Sequence, residues 1–407
     1  MSIAALCRLT DQPLEVVLDL GLQPLGNGFV ENTSDPEYFY LLQCGFNPES
    51  RLFQLITQPA PDLMFHDNYA FFSGTSQKMT EHFEKFANIV LKRNQISTSS
   101  FVVEIGSNDG ILLKHFANRG IPHLGIEPAA DVANVAEHAG VSILGDFFTE
   151  DLAQQILASH GPADVIVSAN VMCHIPDIKG LANGISLLLK PGGVLIFEDP
   201  YLGDVISLGS YDQIYDEHVF LFSALSVSEI FRSVGMEIIN VERQPTHGGS
   251  MRYTLAKMGN QNPAVAVRDL LEYEYKQGLH LTETYIEFAN RVGKSGRELK
   301  AELERLSKEG HQVVAYGATS KSTTIFNYGQ IGPELIRKVY DNTPSKIGKF
   351  TPGVHIPIKD ETEFLSDDPS VVFLSAWNHE REILDRYNNY SVLGGRWLTH
   401  VPYVRFL

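Results

Sequence analysis

A chain of 407 residues is too long for one small module and, at roughly 150 residues per domain, corresponds to two to four domains. Its 32 Lys+Arg against 49 Asp+Glu leave a formal charge of −17, a field that repels nucleic acid and anionic lipid, so any phosphate site has to be built locally. A composition of 43% hydrophobic and 20% charged residues, with 23 Phe and 16 Tyr, excludes a disordered chain, and no apolar run approaches the ~18 residues of a membrane span.

The opening MSIAALCRLT has no basic start followed by a long apolar core, so a cytosolic (cytoplasmic) location is expected. Cys7, Cys44 and Cys173 are too few for a disulfide framework or a four-Cys metal site, which also fits a reducing compartment. Residues 1 to about 67 are rich in Pro, Gly, Asn and aromatic residues, with extended runs LEVVLDLG and RLFQLITQP, and predict a small β-rich module.

From Met79 to Arg93 the apolar residues Phe83, Phe86, Ile89 and Val90 share one helical face, ahead of the run FVVEIG. Between Phe101 and Lys257, FVVEIG, HLGIEP, ADVIVSAN, GVLIFEDP and MEIINVE alternate with helical segments such as ADVANVAEHAG and GLANGISLLLK. That rhythm predicts a parallel, doubly wound sheet in an α/β domain over 68–258. After Asn262-Pro263 a charged amphipathic stretch forms two helices or one broken helix, and the α/β rhythm restarts in QVVAYGATSKSTT, LIRKVYDNTP, SVVFLSAWNH and RWLTHVP, giving a second nucleotide-binding-like domain over 259–407.

The segment VVEIGSNDGILL places Glu104, Gly106, Asn108 and Gly110 at a strand-to-helix turn, where small residues permit close approach and a helix start offers amides. The spacing E-x-G-x-x-x-G departs from the dinucleotide fingerprint, and plain strand-turn packing is the competing explanation. Glu127 closes the next strand 23 residues on, near the offset of an acid that grips ribose hydroxyls. Asp146 follows 19 residues later, where its carboxylate can accept from an adenine amino group while Phe147 covers the ring; surface carboxylates are the bland alternative. Asn170 and His174 lie at the carboxyl edge of the sheet. Tyr215, Glu217 and His218 crowd into four residues of a segment too polar and aromatic for simple core, and are the expected chemical centre unless they merely tie down a loop.

Taken together, IGSNDGILL, ANVMCHIP, FEDPYLGD, YDQIYDEHVFLFS, THGGSMRYT, AYGATSKS, YDNTPSKIGKFTPGVHIP and GGRWLTHVP resemble the three-domain S-adenosylmethionine-dependent sugar C-methyltransferases of deoxysugar biosynthesis, of the kijanose and mycarose type. The resemblance covers nearly the whole chain. It implies a Rossmann-like methyltransferase domain flanked by a small N-terminal module and a C-terminal Rossmann-like domain. It also implies S-adenosylmethionine as cofactor and a keto-deoxysugar linked to a nucleoside diphosphate, usually of thymidine, as substrate, methylated on a ring carbon, commonly C3. Tyr69 in HDNYAFFSG, His174, Tyr215, Glu217 and His218 match its active-site positions, His218 as general base. His247, Gly248, Gly249 and Arg252 in THGGSMRYT, and Thr319, Lys321 and Ser322 in GATSKS, match the nucleotide-sugar site. The family's N-terminal module carries two Cys pairs for zinc; here Thr10 follows Cys7 and Asn47 follows Cys44 where the second thiols belong, so no metal is expected.

Chemically, carbon methylation needs an enolate, hence a base near neutral pKa such as His218, oriented by Glu217 or a Tyr, and donors to the enolate oxygen from Tyr215, His174 or Tyr69. The turn Ala318–Ser322, at a strand end and helix start, is expected to offer free amides, a hydroxyl and the Lys321 ammonium to the diphosphate. A nicotinamide-dependent nucleotide-sugar dehydrogenase and a non-catalytic nucleotide-sugar-binding protein are the competing readings; the oligomeric state is left open.

Overall fold

The apolar runs pair into three sheets in the computed structural model, which describes residues 5–64, 74, 77–367 and 369–407. In the N-terminal module β1 (Glu15–Pro24), β2 (Phe39–Asn47) and β3 (Leu52–Leu55) form an antiparallel meander. The strand β2 was not legible in the sequence because Gln43, Gly45 and Asn47 dilute its apolar pattern. A fourth strand, β9 (Phe220–Leu221), pairs with β3 from the central part of the chain, so the module is stitched into the residues that follow the Tyr215–His218 segment.

The helix Gln77–Arg93 buries Phe83, Phe86, Ala87 and Val90, with Ile89 half-buried beside the expected face. Behind it lies a seven-stranded sheet in the order β10-β11-β8-β7-β4-β5-β6. The strands β4 (Val102–Ile105), β5 (His123–Ile126), β6 (Ile143–Leu144), β7 (Ala163–Ala169) and β8 (Leu189–Pro200) are parallel, as expected. The edge corrects the all-parallel expectation: β11 (Ser250–Lys257) inserts antiparallel between β8 and β10 (Met236–Gln244). The link from β10 to β11 is the tight turn Thr246–Gly249, too short for a crossover, and a direct turn requires antiparallel strands. That turn is possible because His247, Gly248 and Gly249 all take positive φ, at 56°, 84° and 130°.

The strand β4 has β5 on one side and β7 on the other, and a ligand crevice opens at the carboxyl ends where strand order reverses. The helix expected directly after β4 is only Lys114–Ala117, because Asn108 (φ 46°) and Gly110 (φ 74°) hold the intervening turn in left-handed conformations.

Two helices, Val265–Lys276 and Thr282–Lys308, lead to the third sheet, with the break at a left-handed Gly278 (φ 72°). That sheet runs β14-β13-β12-β15-β16-β17 and contains β12 (Val313–Tyr316), β13 (Val339–Asp341), β14 (Ile358–Asp360), β15 (Val371–Leu374), β16 (Arg396–Thr399) and an antiparallel β17 (Arg405–Phe406). Its order also reverses at β12, whose carboxyl end feeds the helix Ser320–Gly329. Among the described residues no helix is long and apolar enough to cross a membrane.

Candidate active site

The carboxyl ends of β4, β5, β7 and β12 converge on one cavity of about 520 Å³, walled by residues from all three parts of the chain. Its charge is segregated. Carboxylates stand along the ends of the first strands, Lys321 and Lys346 stand at the C-terminal wall, and the imidazoles of His174 and His218 lie between.

At the acidic end, Glu104 is 2% exposed, and burial followed by the charges of Asp109 and Glu127 pushes its carboxyl well above the usual range. Among the described residues its Oε2 and the Oδ1 of Asn170 have no hydrogen-bond partner, and both belong to residues of the cavity wall. Glu127 spans the turn, accepting from the Asn108 amide (2.9 Å) and the Ala129 amide (3.0 Å); burial raises its pKa and those amides restrain the rise. Asp146 and a 39%-exposed Phe147 border the opening. Gly106 belongs to the wall for a steric reason, since a Cβ there would lie 2.3 Å from Val171. Gly110 does not reach the cavity: a Cβ would meet Ala136 at 3.0 Å, so this glycine serves the strand-turn packing.

In the middle, His218 Nδ1 lies 2.7 Å from the Gln213 carbonyl, which can only accept, so Nδ1 carries the proton and Nε2 receives the Tyr215 hydroxyl at 2.8 Å. His174 stacks on His218 with ring centroids 5.3 Å apart. Burial draws His174 down to about 4; His218 falls well below its ordinary value through burial first, then His174 and Lys321. Both rings are neutral at pH 7. The expectation of a near-neutral His218 pKa is thus corrected by desolvation, and its orienting groups are Gln213 and Tyr215. Glu217 instead accepts from Asn27 Nδ2 at 2.8 Å. Cys173, His174 and His218 bring donor atoms within 4.8 Å of one another. These are metal-ligand types, yet both His218 nitrogens are engaged and burial with the nearby Asp199 holds the Cys173 thiol protonated. Tyr69 lies outside the described residues.

At the basic end, Thr319 and Ser322 cap the helix Ser320–Gly329 reciprocally: the Ser322 amide donates to Thr319 Oγ1 (3.1 Å) and the Thr319 amide to Ser322 Oγ (2.8 Å). The Ala318 amide donates to Asp341 (2.8 Å). Three of the amides expected to be free, those of Ala318, Thr319 and Ser322, are therefore committed. Ser322 is buried away from the cavity, while Thr319, Ser320 and Lys321 border it. Burial lowers the Lys321 pKa, opposed by the charges of Asp212 and Glu217. His247 is on the wall, pulled to about 3 mainly by burial. Gly248 and Gly249 do not line it: their missing side chains make room for Trp377 and Asp204, at 2.2 and 2.4 Å from a hypothetical Cβ. Arg252 is also elsewhere. It is 3% exposed, ion-paired with Glu198 and stacked over Phe86 at 4.2 Å, because the antiparallel β11 register sets it opposite Glu198.

Sequence reading missed Asn27, Lys346 and His379 on this wall. Lys346 Nζ donates to the Ala318 carbonyl (2.8 Å), tying the YDNTPSK loop to the GATSKS turn; its only local signal was a position after a strand end. Among the described residues of the N-terminal module the donor set does not fit a tetrahedral zinc. Cys7 Sγ is hydrogen-bonded to Ser50 Oγ (3.2 Å), Asn47 Oδ1 accepts from the Ser50 amide (2.8 Å), and burial pushes the Cys44 thiol up.

Three family models match in chain order: one described as a zinc binding domain over residues 7–65, "Methyltransferase domain" over 78–241, and "C-methyltransferase C-terminal domain" over 245–402. The sheet, its acidic strand ends and the middle model define an S-adenosylmethionine-dependent methyltransferase. C-methyltransferase NovU of Streptomyces niveus is 30% identical over 348 residues, 85% of this chain and 83% of that protein, and the chain belongs to this C-methyltransferase family. Ubiquinone biosynthesis O-methyltransferase of Burkholderia thailandensis is 24% identical over 188 residues, 41% of this chain and 77% of its own. Among solved structures, the magnesium protoporphyrin IX methyltransferase of Synechocystis PCC 6803 shares 14% identity at a TM-score of 0.33, covering 44% of this chain and 79% of its own.

Proposed function

We propose that this C-methyltransferase methylates a ring carbon, C3, of a keto-deoxysugar linked to a nucleoside diphosphate, thymidine diphosphate being the expected carrier. The observation that carries the reading is the charge segregation of the cavity described above, with neutral His218 and Tyr215 between carboxylates and ammonium groups. A diphosphate needs local cations in a chain of charge −17, and Lys321 and Lys346 are buried enough to be drawn toward an anion rather than to water. S-adenosylmethionine supplies an electrophilic methyl group. Glu104, Glu127, Asp146 and Asn170 are the residues that would hold it, and Glu104 Oε2 and Asn170 Oδ1, without a partner among the described residues, suit a donor-rich ligand.

In this reading the Tyr215 hydroxyl turns from His218 Nε2 to the sugar carbonyl oxygen, freeing Nε2 to take the neighbouring α-proton. The Gln213 carbonyl keeps the imidazole in the tautomer that leaves Nε2 basic, and His174 stacks behind it. The low pKa of His218 makes it a modest base, so stabilisation of the enolate oxygen has to contribute much of the effect. The test is a panel of nucleotide-linked keto-sugars incubated with methyl-labelled S-adenosylmethionine and read by mass spectrometry and NMR. Label on the carbon next to the carbonyl of a nucleotide sugar is the expected result; label only on oxygen, or only on sugars without the nucleotide, contradicts it.

A further inference from the structure

The residue Asn27, far from every motif of the sequence, stands where the three parts of the chain meet. Its neighbour Gly26 donates its amide to both carboxylate oxygens of Asp216 (3.1 and 3.2 Å) and its carbonyl accepts from Thr323 Oγ1 (2.9 Å). A Cβ on Gly26 would lie 2.8 Å from Asp216 and 2.9 Å from Ser320, so the turn is wedged between the Tyr215–His218 segment and the helix that begins at Ser320. Thr324 of that helix donates to the Ile214 carbonyl (3.0 Å), closing the junction. From this fixed turn the Asn27 amide reaches Glu217 Oε1 at 2.8 Å, and both residues face the cavity. The carboxylate of Glu217 also acts electrostatically on Lys321 across the site.

We infer that Asn27 is a positioning residue of the methyl-transfer centre: its side-chain amide holds the Glu217 carboxylate in place against the cationic wall, and the N-terminal module contributes through it to the reaction. This rests on the function proposed above. The role fits the three-way junction around Gly26, whose hydrogen bonds tie this turn to Asp216 and Thr323. A carboxylate whose charge reaches the half-buried Lys321 ammonium is a strong local charge, and an amide donor on its Oε1 fixes how that carboxylate is turned.

A double-mutant cycle tests this. Asn27→Ala should lower kcat about tenfold or more while leaving S-adenosylmethionine affinity and the melting temperature nearly unchanged, and the same substitution in a Glu217→Gln background should cost much less. Asn27→Asp, which keeps the size but sets a second carboxylate against Glu217, should lose at least as much. Equal losses from Asn27→Ala in both backgrounds, or none in either, overturn the inference. In parallel, the 15N resonance of the Asn27 side-chain amide should shift in Glu217→Gln. That readout needs no substrate, so an unshifted amide sinks this inference, whereas a shifted amide with no sugar methylation by the wild type sinks the proposed function.

Discussion

The two ends of the cavity are built differently. The acidic end draws on consecutive strand ends of one sheet, so Glu104, Glu127 and Asp146 are set by the strand rhythm alone. The basic end and the centre are assembled from segments distant in sequence: Asn27 from a turn after β1, the Tyr215–His218 segment, Lys321 at a helix start, and Lys346 in a loop after β13. An end built by one sheet is robust and general, as expected for a site that holds a cofactor. An end that exists only when three parts dock is where substrate selection can be tuned, because each part changes it separately.

The sharpest way to break this division is at the centre. His218→Ala should cut turnover by the 10²–10⁴-fold share typical of acid–base catalysis while cofactor affinity, measured by calorimetry, stays put. At the acidic end, Glu127→Ala should weaken S-adenosylmethionine binding about 10–100-fold, from charge-assisted bonds worth ~1.5–3 kcal/mol, without changing the Michaelis constant of the sugar nucleotide. Unchanged cofactor affinity would move the ribose contact to another residue. At the basic end, Lys321→Ala should raise the sugar-nucleotide Michaelis constant about tenfold at low salt and less at high salt, with cofactor affinity untouched.

A pH profile refines the comparison. A histidine acts as a base only when unprotonated, so activity persists above the His218 pKa in the folded enzyme and is lost below it. Since burial holds that pKa well below 6.5, the acid limb of kcat/KM should fall well under pH 6.5. A limb centred on 6.5 would mean that the base is exposed to water. The smallest effect concerns the N-terminal module: purified protein should contain no stoichiometric zinc, and chelators should leave its melting temperature unchanged, because Cys7 and Cys44 lack thiol partners.

Much of the architecture was legible because strands such as FVVEIG and ADVIVSAN are continuous apolar runs, a pattern that burial on both faces imposes. The antiparallel β11 was not, since MRYTLAK mixes Arg, Thr and Lys into a buried strand and its placement depends on a turn. For the same reason Arg252 reads as a ligand-binding residue but is consumed by Glu198. His218 and Tyr215 were legible because chemical residues crowd into four positions of the chain, and Lys321 through its place at a strand end and helix start; all three line the cavity. Asn27 was invisible, its significance arising only from contacts 190 residues away. Likewise, capping hydrogen bonds at Thr319 and Ser322 take amides that a sequence leaves open.

The central claim is that His218 enolises a keto-sugar inside this cavity, and hydrogen exchange measures that step without methyl transfer. Incubated in D₂O with the keto-sugar nucleotide and no methyl donor, the wild type should exchange the α-hydrogen next to the carbonyl, and His218→Ala should reduce the rate by at least a hundredfold while still binding the sugar nucleotide. Exchange at an undiminished rate in His218→Ala would contradict the account and assign the base to another residue.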